Sequence, residues 1–141
     1  MIRIHSYDKY KESEILSLYT SVGWTAYTDN PLMVQAAFAN SLLTLAAWDD
    51  SKLVGIIRVV GDGNTVILIQ DLLIYPEYQR RGIGSRLVRK VLAKYKTVYQ
   101  IQLLTEINDK NISFYQAVGF QQVALLNCCA LMKICYARKF G

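Results

Sequence analysis

The chain has 141 residues, 52% hydrophobic and 19% charged, a composition that supports one packed core and excludes a disordered polypeptide. Its net charge of +5 points to an anionic partner, and its single histidine, His5, excludes any site that needs two. No run reaches the ~20 apolar residues that cross a bilayer. Residues 1–10 carry Arg3, His5, Asp8 and Lys9 in place of an apolar signal core, so the expectation is a cytoplasmic protein with no membrane partner.

Residues 1–5 read as a short strand. In 8–22 the apolar residues Ile15, Leu18, Tyr19 and Val22 follow helical spacing, and Gly23 stops the run. Trp24, Thr25, Ala26 and Tyr27 read as an aromatic loop. Asn30 followed by Pro31 opens a second helix that ends near Asn40. Three strand-like runs follow, 42–48, 53–60 and 65–75, separated by Asp49-Asp50-Ser51-Lys52 and Gly61-Asp62-Gly63-Asn64. Turns that close together imply an antiparallel meander.

The period then changes. Across 82–95, Ile83, Leu87, Val88, Val91, Leu92 and Tyr95 form one apolar stripe opposite Arg86, Arg89, Lys90 and Lys94. Residues 98–105 read as a strand, 109–118 as a helix and 120–136 as one or two closing strands. The three cysteines, Cys128, Cys129 and Cys135, fall in that last stretch; their spacing fits no zinc site, so reduced and partly buried thiols with no metal are expected. This order of elements predicts one domain over 1–141, of the α+β or α/β class, with helices on both faces of a sheet.

The informative segment runs from Asp71 to Ser85. A strand ends at Pro76, and a strong helix starts within the pair Gly82 and Gly84. A helix start offers unpaired backbone N–H groups and the positive end of the dipole, and glycine lets an anion approach that backbone. Arg80, Arg81 and Arg86 ring the same turn. The combination suits a pyrophosphate, and it favours a phosphate-bearing small molecule over nucleic acid. The other phosphate signatures are absent: there is no G-x-x-x-x-G-K-[ST], and the third glycine of the dinucleotide fingerprint is missing.

Gln79-Arg80-Arg81-Gly82-Ile83-Gly84 resembles the Q-x-x-G-x-G signature of the GNAT acetyltransferases, and it follows a Leu72-Leu73-Ile74-Tyr75-Pro76 strand end of the family's type. Asn108, Tyr115 and Gly119-Phe120 resemble the family's second block, in the right order. The resemblance implies a GNAT fold, with a mixed and mostly antiparallel sheet of six to seven strands flanked by about four helices. It implies acetyl-CoA as co-substrate, direct acetyl transfer to a primary amine or peptide amine in a ternary complex, and no metal. Carried over by position, Gln79, Arg80, Arg81, Gly82, Ile83, Gly84 and Ser85 line the pyrophosphate site. Leu72, Leu73 and Ile74 pair with the pantetheine arm, Asn108 contacts that arm, and Tyr115 assists departure of the thiolate. A phenol, with a pKa of about 10, is able to donate to a developing thiolate of about 8.5.

The base is less defined. Where some relatives carry glutamate or histidine on the central strand, this chain has Leu68. Asp71, Asp62, Glu77 and Glu106 are the nearby carboxylates, with Asp71 the candidate base and a water relay the alternative. Acceptor specificity is expected from the segment around Trp24 and Tyr27, from Arg58 and from the late strands. Gly61-Asp62-Gly63 with Gln70-Asp71 is weakly similar to serotonin N-acetyltransferase-like members. Residues 124–132 offer an apolar run for a homodimer. A non-catalytic acyl-CoA-binding regulatory module is the alternative function; a nucleic-acid partner finds no supporting recognition motif.

Overall fold

The computed structural model describes residues 1–135, which fall into two compact units, Met1–Leu104 and a second beginning at Thr105. The first unit holds strands β1 (Ile2–Ser6), β2 (Leu43–Asp49), β3 (Lys52–Gly61), β4 (Val66–Ile74) and β5 (Gln100–Leu103). They form one sheet in the order β1-β2-β3-β4-β5, antiparallel except for the parallel pair β4 and β5. Four helices accompany it: α1 (Glu12–Ser21), α2 (Thr25–Thr28), α3 (Pro31–Ala39) and α4 (Ile83–Lys94).

α1 starts with Glu12 and Glu14 in its first turn, where carboxylates suit the helix dipole. Its Ile15, Leu18 and Tyr19 are fully buried and pack with Val34 of α3 and with Ala46, Leu53, Ile56 and Leu73 of the sheet. Burying each such aliphatic side chain contributes about 1.5–3 kcal/mol. α2 occupies the stretch read as an aromatic loop; Tyr19, Trp24 and Tyr27 cluster there in tilted and edge-on contacts with ring centroids 4.8–5.7 Å apart. α4 packs against β2, β3 and β4, and its buried stripe of Ile83, Leu87, Val88 and Val91 shares no residue with the α1 cluster. Alternation along β3 turns Ile57 and Val59 to that other face. A sheet covered on both sides is the arrangement expected from the element order.

Gly55 of β3 allows a close approach. A Cβ there would lie 2.6 Å from the tip of the Ile74 side chain and 3.0 Å from the Leu73 carbonyl oxygen, so Ile74 would have to move aside and the β4 backbone to give slightly.

The second unit contains α5 (Asp109–Ala117) and a 3-10 turn at Val123–Leu126. The expected closing strands are corrected here: among the described residues the sheet has five strands, and 127–135 form no regular element. The run lacks the two-residue alternation of a half-buried strand, and Asn127 takes a left-handed conformation, φ 58°, that breaks an extended path. Leu125, Leu131 and Met132 are exposed, as are all three cysteines, which therefore are not the partly buried thiols expected. Tyr136 lies outside the described residues. With α2, the α-helices among the described residues number five against about four anticipated.

Candidate active site

The site begins with one extra residue in β4. Arg58 of β3 stands opposite Asp71, whereas its neighbour Val59 stands opposite Ile69, so Gln70 has no partner of its own. A bulge of this kind bends the strand and changes which face the following side chains take. Asp71 and Leu73 consequently face α1, together with Arg58 and Ile56.

The bulge also marks where the sheet opens. β4 and β5 pair from Val66 with Gln100 to Ile69 with Leu103, and then β5 ends while β4 continues to Ile74. The Tyr75 N–H donates to the Val54 carbonyl at 2.9 Å. Antiparallel alternation therefore turns the backbone groups of Leu72 and Ile74 away from β3, toward the edge that β5 leaves open. Leu72, Leu73 and Ile74 are thus partly sorted: Leu73 is committed to β3, while Leu72 and Ile74 present backbone at the edge.

From that edge the chain runs through a 3-10 turn, Pro76–Tyr78, into the glycine loop. Gln79 Nε2 donates to the Ile74 carbonyl at 3.1 Å, tying the loop to the strand end. Arg80 and Gly82 both take positive φ, 64° and 78°. At Gly82 this conformation is free of steric cost and faces open space, whereas a residue with a side chain pays a backbone penalty there. Gly82 is the N-cap of α4 and supplies no side-chain cap, so the first N–H groups of the helix, those of Ile83, Gly84 and Ser85, point outward. Arg81 lies over the Tyr78 ring at 4.9 Å, and Arg86 Nη2 donates to the Ile2 carbonyl at 3.2 Å. The result is a strand edge with available backbone leading directly to an uncapped, positively polarised helix end, a geometry suited to an extended chain ending in phosphates.

Asp71 sits behind this edge. It is 1% exposed; its Oδ2 accepts from Tyr19 Oη at 2.6 Å and from Arg58 Nε at 2.7 Å, while its Oδ1 is buried without a partner. Arg58 Nη1 donates to Ser41 Oγ at 3.2 Å, and its guanidinium lies 5.4 Å from the Phe38 ring centre. Burial opposes the charge of Arg58, but the Asp71 carboxylate more than offsets it and raises the guanidinium's pKa. Burial, reinforced by the Asp71 charge and hydrogen bond, pushes the Tyr19 hydroxyl well above the usual phenol range. Enclosed by a cation and a phenol, Asp71 lacks the access to an incoming amine that a general base needs.

The remaining carboxylates have other tasks. Asp62 accepts from the backbone N–H groups of Asn64, Thr65 and Val66 and from Thr65 Oγ1, closing the β3–β4 hairpin. The Thr65 hydroxyl bond and these amides hold its carboxyl well below the usual carboxylate range. Glu77 forms an exposed pair with Lys52 at 3.7 Å, and Glu106 is exposed. Leu68 offers no proton acceptor.

Beside Arg58 lies a cavity of about 170 Å³ lined by Tyr19, Tyr27, Met33, Val34, Ala37, Phe38 and Arg58. Gln70 Nε2, at the bulge, donates to Tyr27 Oη at 3.4 Å. Sequence reasoning picked out Trp24, Tyr27 and Arg58 but missed Tyr19, Phe38 and Ser41, which read only as helix or turn positions. The buried partner of Arg58 was signalled only by Asp71, a lone acid within an apolar run.

In the second unit, Asn108 is the N-cap of α5, its Oδ1 accepting from the Asn111 N–H at 2.8 Å. Tyr115 is half-buried, edge-on to Phe114 and Phe120 at 5.0 and 5.9 Å between centroids. Burial raises its pKa, so it remains a protonated donor at neutral pH.

The acetyltransferase (GNAT) family model matches residues 4–120, and the chain belongs to that family. A GNAT family acetyltransferase from Streptococcus pneumoniae is similar in structure, with a TM-score of 0.86 and 40% identity, covering 96% of this chain and 99% of that one. An uncharacterized ycf52-like N-acetyltransferase from Prochlorococcus marinus is 33% identical over 122 residues, 83% of this chain and 66% of the relative. The chain spans about two thirds or less of the length of the curated relatives it matches first. A GNAT acetyltransferase from Brucella melitensis, solved in complex with acetyl-CoA, shares the fold at TM-score 0.66 and 20% identity, over 86% of this chain and 83% of that one. The family and the GNAT fold are as anticipated from Gln79 to Gly84 and from the element order.

Proposed function

We propose that this protein transfers an acetyl group from acetyl-CoA to a primary amine, directly, within a ternary complex. The observation that carries the reading is the continuous path from the open β4 edge beyond Ile69 to the uncapped start of α4. The edge groups of Leu72 and the N–H of Ile74 pair with the pantetheine arm as an added strand would. The N–H groups of Ile83, Gly84 and Ser85, with Gly82 leaving room, hold the pyrophosphate, and Arg80 and Arg81 add charge at its rim. Gln79 acts by fixing the loop to Ile74. The family resemblance assigns Asn108 to the pantetheine arm.

Acetyl-CoA supplies the thioester. The amine, having lost its ammonium proton to water, attacks the carbonyl carbon; the C–N bond forms, the C–S bond breaks, and Tyr115 Oη gives its proton to the departing thiolate. The second nitrogen proton, shed as the amide forms, passes through water to restore the Tyr115 hydroxyl. A water relay takes the amine proton, because Asp71 is enclosed by Tyr19 and Arg58. Isothermal titration with acetyl-CoA and desulfo-CoA tests the reading. Saturable binding near one per chain, followed by amine-dependent thiol release, is expected; no binding of either compound overturns it.

A further inference from the structure

We propose that the cavity between α1, α2, α3 and β3 holds the apolar body of the acceptor, and that Arg58 selects acceptors in which that compact body also carries a carboxylate. The inference rests on the acetyl-transfer reading and names the substrate class that the reading leaves open.

Four observations support it. At about 170 Å³ the cavity is far larger than the ~10–15 Å³ one water needs, yet below the ~300 Å³ of a drug-sized site, so it suits a group the size of one side chain. Its wall is aromatic and aliphatic: Tyr19 and Tyr27 meet at 4.8 Å between centroids, Phe38 stands edge-on to Tyr19 at 6.4 Å, and Met33, Val34 and Ala37 complete it. Neither the Tyr19 hydroxyl nor the Tyr27 hydroxyl is idle, since one donates to Asp71 and the other accepts from Gln70.

The third observation is the charge that borders the space. Arg58 lines the cavity, and Asp71 does not. Arg58 is 5% exposed; Nε is taken by Asp71 and Nη1 by Ser41, which leaves Nη2 without a bonding partner among the described residues. On the cavity side the bordering charge is therefore that of Arg58, and the Asp71 carboxylate is not part of the lining. An ammonium is repelled there and a carboxylate is attracted, accepting from the planar fork of donors. Fourth, Arg58 stands opposite Asp71, the residue before Leu72, so the cavity adjoins the start of the open edge on which the thioester arm is proposed to lie.

The test uses amines that share a body: phenylalanine, phenylalanine amide and phenethylamine, with spermidine as the cationic control. Thiol release is measured with acetyl-CoA saturating. The expected order is phenylalanine at least tenfold above the amide and phenethylamine in kcat/KM, with spermidine lowest. A second arm needs no turnover: 3-phenylpropanoate, which keeps the ring and carboxylate without an amine, is titrated calorimetrically into the protein. Saturable binding is expected, weakened about tenfold or more in Arg58→Lys and abolished in Ala37→Trp, which fills the cavity while leaving Arg58 and Asp71 themselves unsubstituted. Ala37→Leu is the milder filler, and melting curves establish that each variant is folded. Faster transfer to phenethylamine or spermidine, no binding of 3-phenylpropanoate, or its undiminished binding to folded Ala37→Trp would each overturn the assignment. If acetyl-CoA fails to bind while 3-phenylpropanoate does, the transfer reading falls and the carboxylate-binding cavity stands.

Discussion

Arg58 Nε donates to Asp71 Oδ2 at 2.7 Å across β3 and β4, with side chains only 5% and 0% exposed. Breaking a buried pair from one side leaves the other charge uncompensated, at a cost of about 3–5 kcal/mol. Asp71→Ala should therefore lower unfolding free energy by that amount, measured by urea denaturation. Asp71→Asn, which keeps the shape and can still accept from Arg58, should lose less. If Asp71 instead served as general base, Asp71→Asn would remove the acidic limb of the kcat profile while leaving stability nearly intact. The enclosed geometry predicts the reverse, a stability loss with the acidic limb retained.

Tyr19 ties α1 to the same carboxylate, and its hydroxyl is held protonated by burial and by the Asp71 charge. Tyr7 is pushed up to about 12, first by burial and further by the Glu14 carboxylate to which its hydroxyl donates a hydrogen bond. For both, the folded pKa lies above the unfolded value of about 10. Above that pH the unfolded chain binds fewer protons than the folded one, so stability falls as pH rises. The contribution is fully present below about pH 10 and is lost on the way through the folded values. Melting temperatures should turn downward above about pH 10, and Tyr19→Phe should flatten that descent. At pH 7 the same variant should cost about 1–3 kcal/mol, because Asp71, whose Oδ1 already has no partner, loses a donor.

The glycine loop separates backbone strain from charge. Gly82→Ala meets no neighbouring atom, so its expected cost is the left-handed backbone alone, about 1–2 kcal/mol, with weaker acetyl-CoA binding from a shifted helix start. Gly82→Glu adds a negative charge at the proposed phosphate site and should abolish binding in titration calorimetry. Arg80 already occupies the left-handed region at φ 64°, so Arg80→Gly should raise stability by roughly 1 kcal/mol while weakening acetyl-CoA binding through the lost charge. A stabilised Arg80→Gly with unchanged affinity would remove Arg80 from the phosphate site.

Much of this architecture was legible because two signals agreed: the hydrophobic period changed from two to helical at Gly82, and the glycine pair stood at that change. The bulge was harder to see. Gln70 and Asp71 are adjacent polar residues inside an apolar strand, and simple alternation would send them to opposite faces. One inserted residue instead turns Asp71 toward α1, and only the pairing of Arg58 with Asp71 and of Val59 with Ile69 reveals it. The late segment misled for the opposite reason. Ala124, Leu125 and Leu126 are apolar enough for a strand, but without alternation they carry no face to bury, and they lie in a 3-10 turn. Composition signals that a residue avoids water; it does not supply the neighbouring strand.

Tyr115 gives the most direct test of chemistry. Its pKa is raised by burial, so the hydroxyl stays protonated at neutral pH and is a suitable donor to a leaving thiolate of ordinary acidity. Tyr115→Phe keeps the ring that meets Phe114 and Phe120 edge-on, so folding and acetyl-CoA affinity should remain close to those of the parent protein. What the variant removes is the proton, and general acid catalysis is worth on the order of 10²-fold or more. The expected result is a fall of that size in kcat at saturating substrates, with the acetyl-CoA dissociation constant unchanged. An acetyl donor whose thiol is more acidic needs less help to depart and should recover part of the lost rate in the variant. Equal sensitivity of parent and variant to the leaving thiol's acidity would show that Tyr115 packs α5 without serving the departing sulfur.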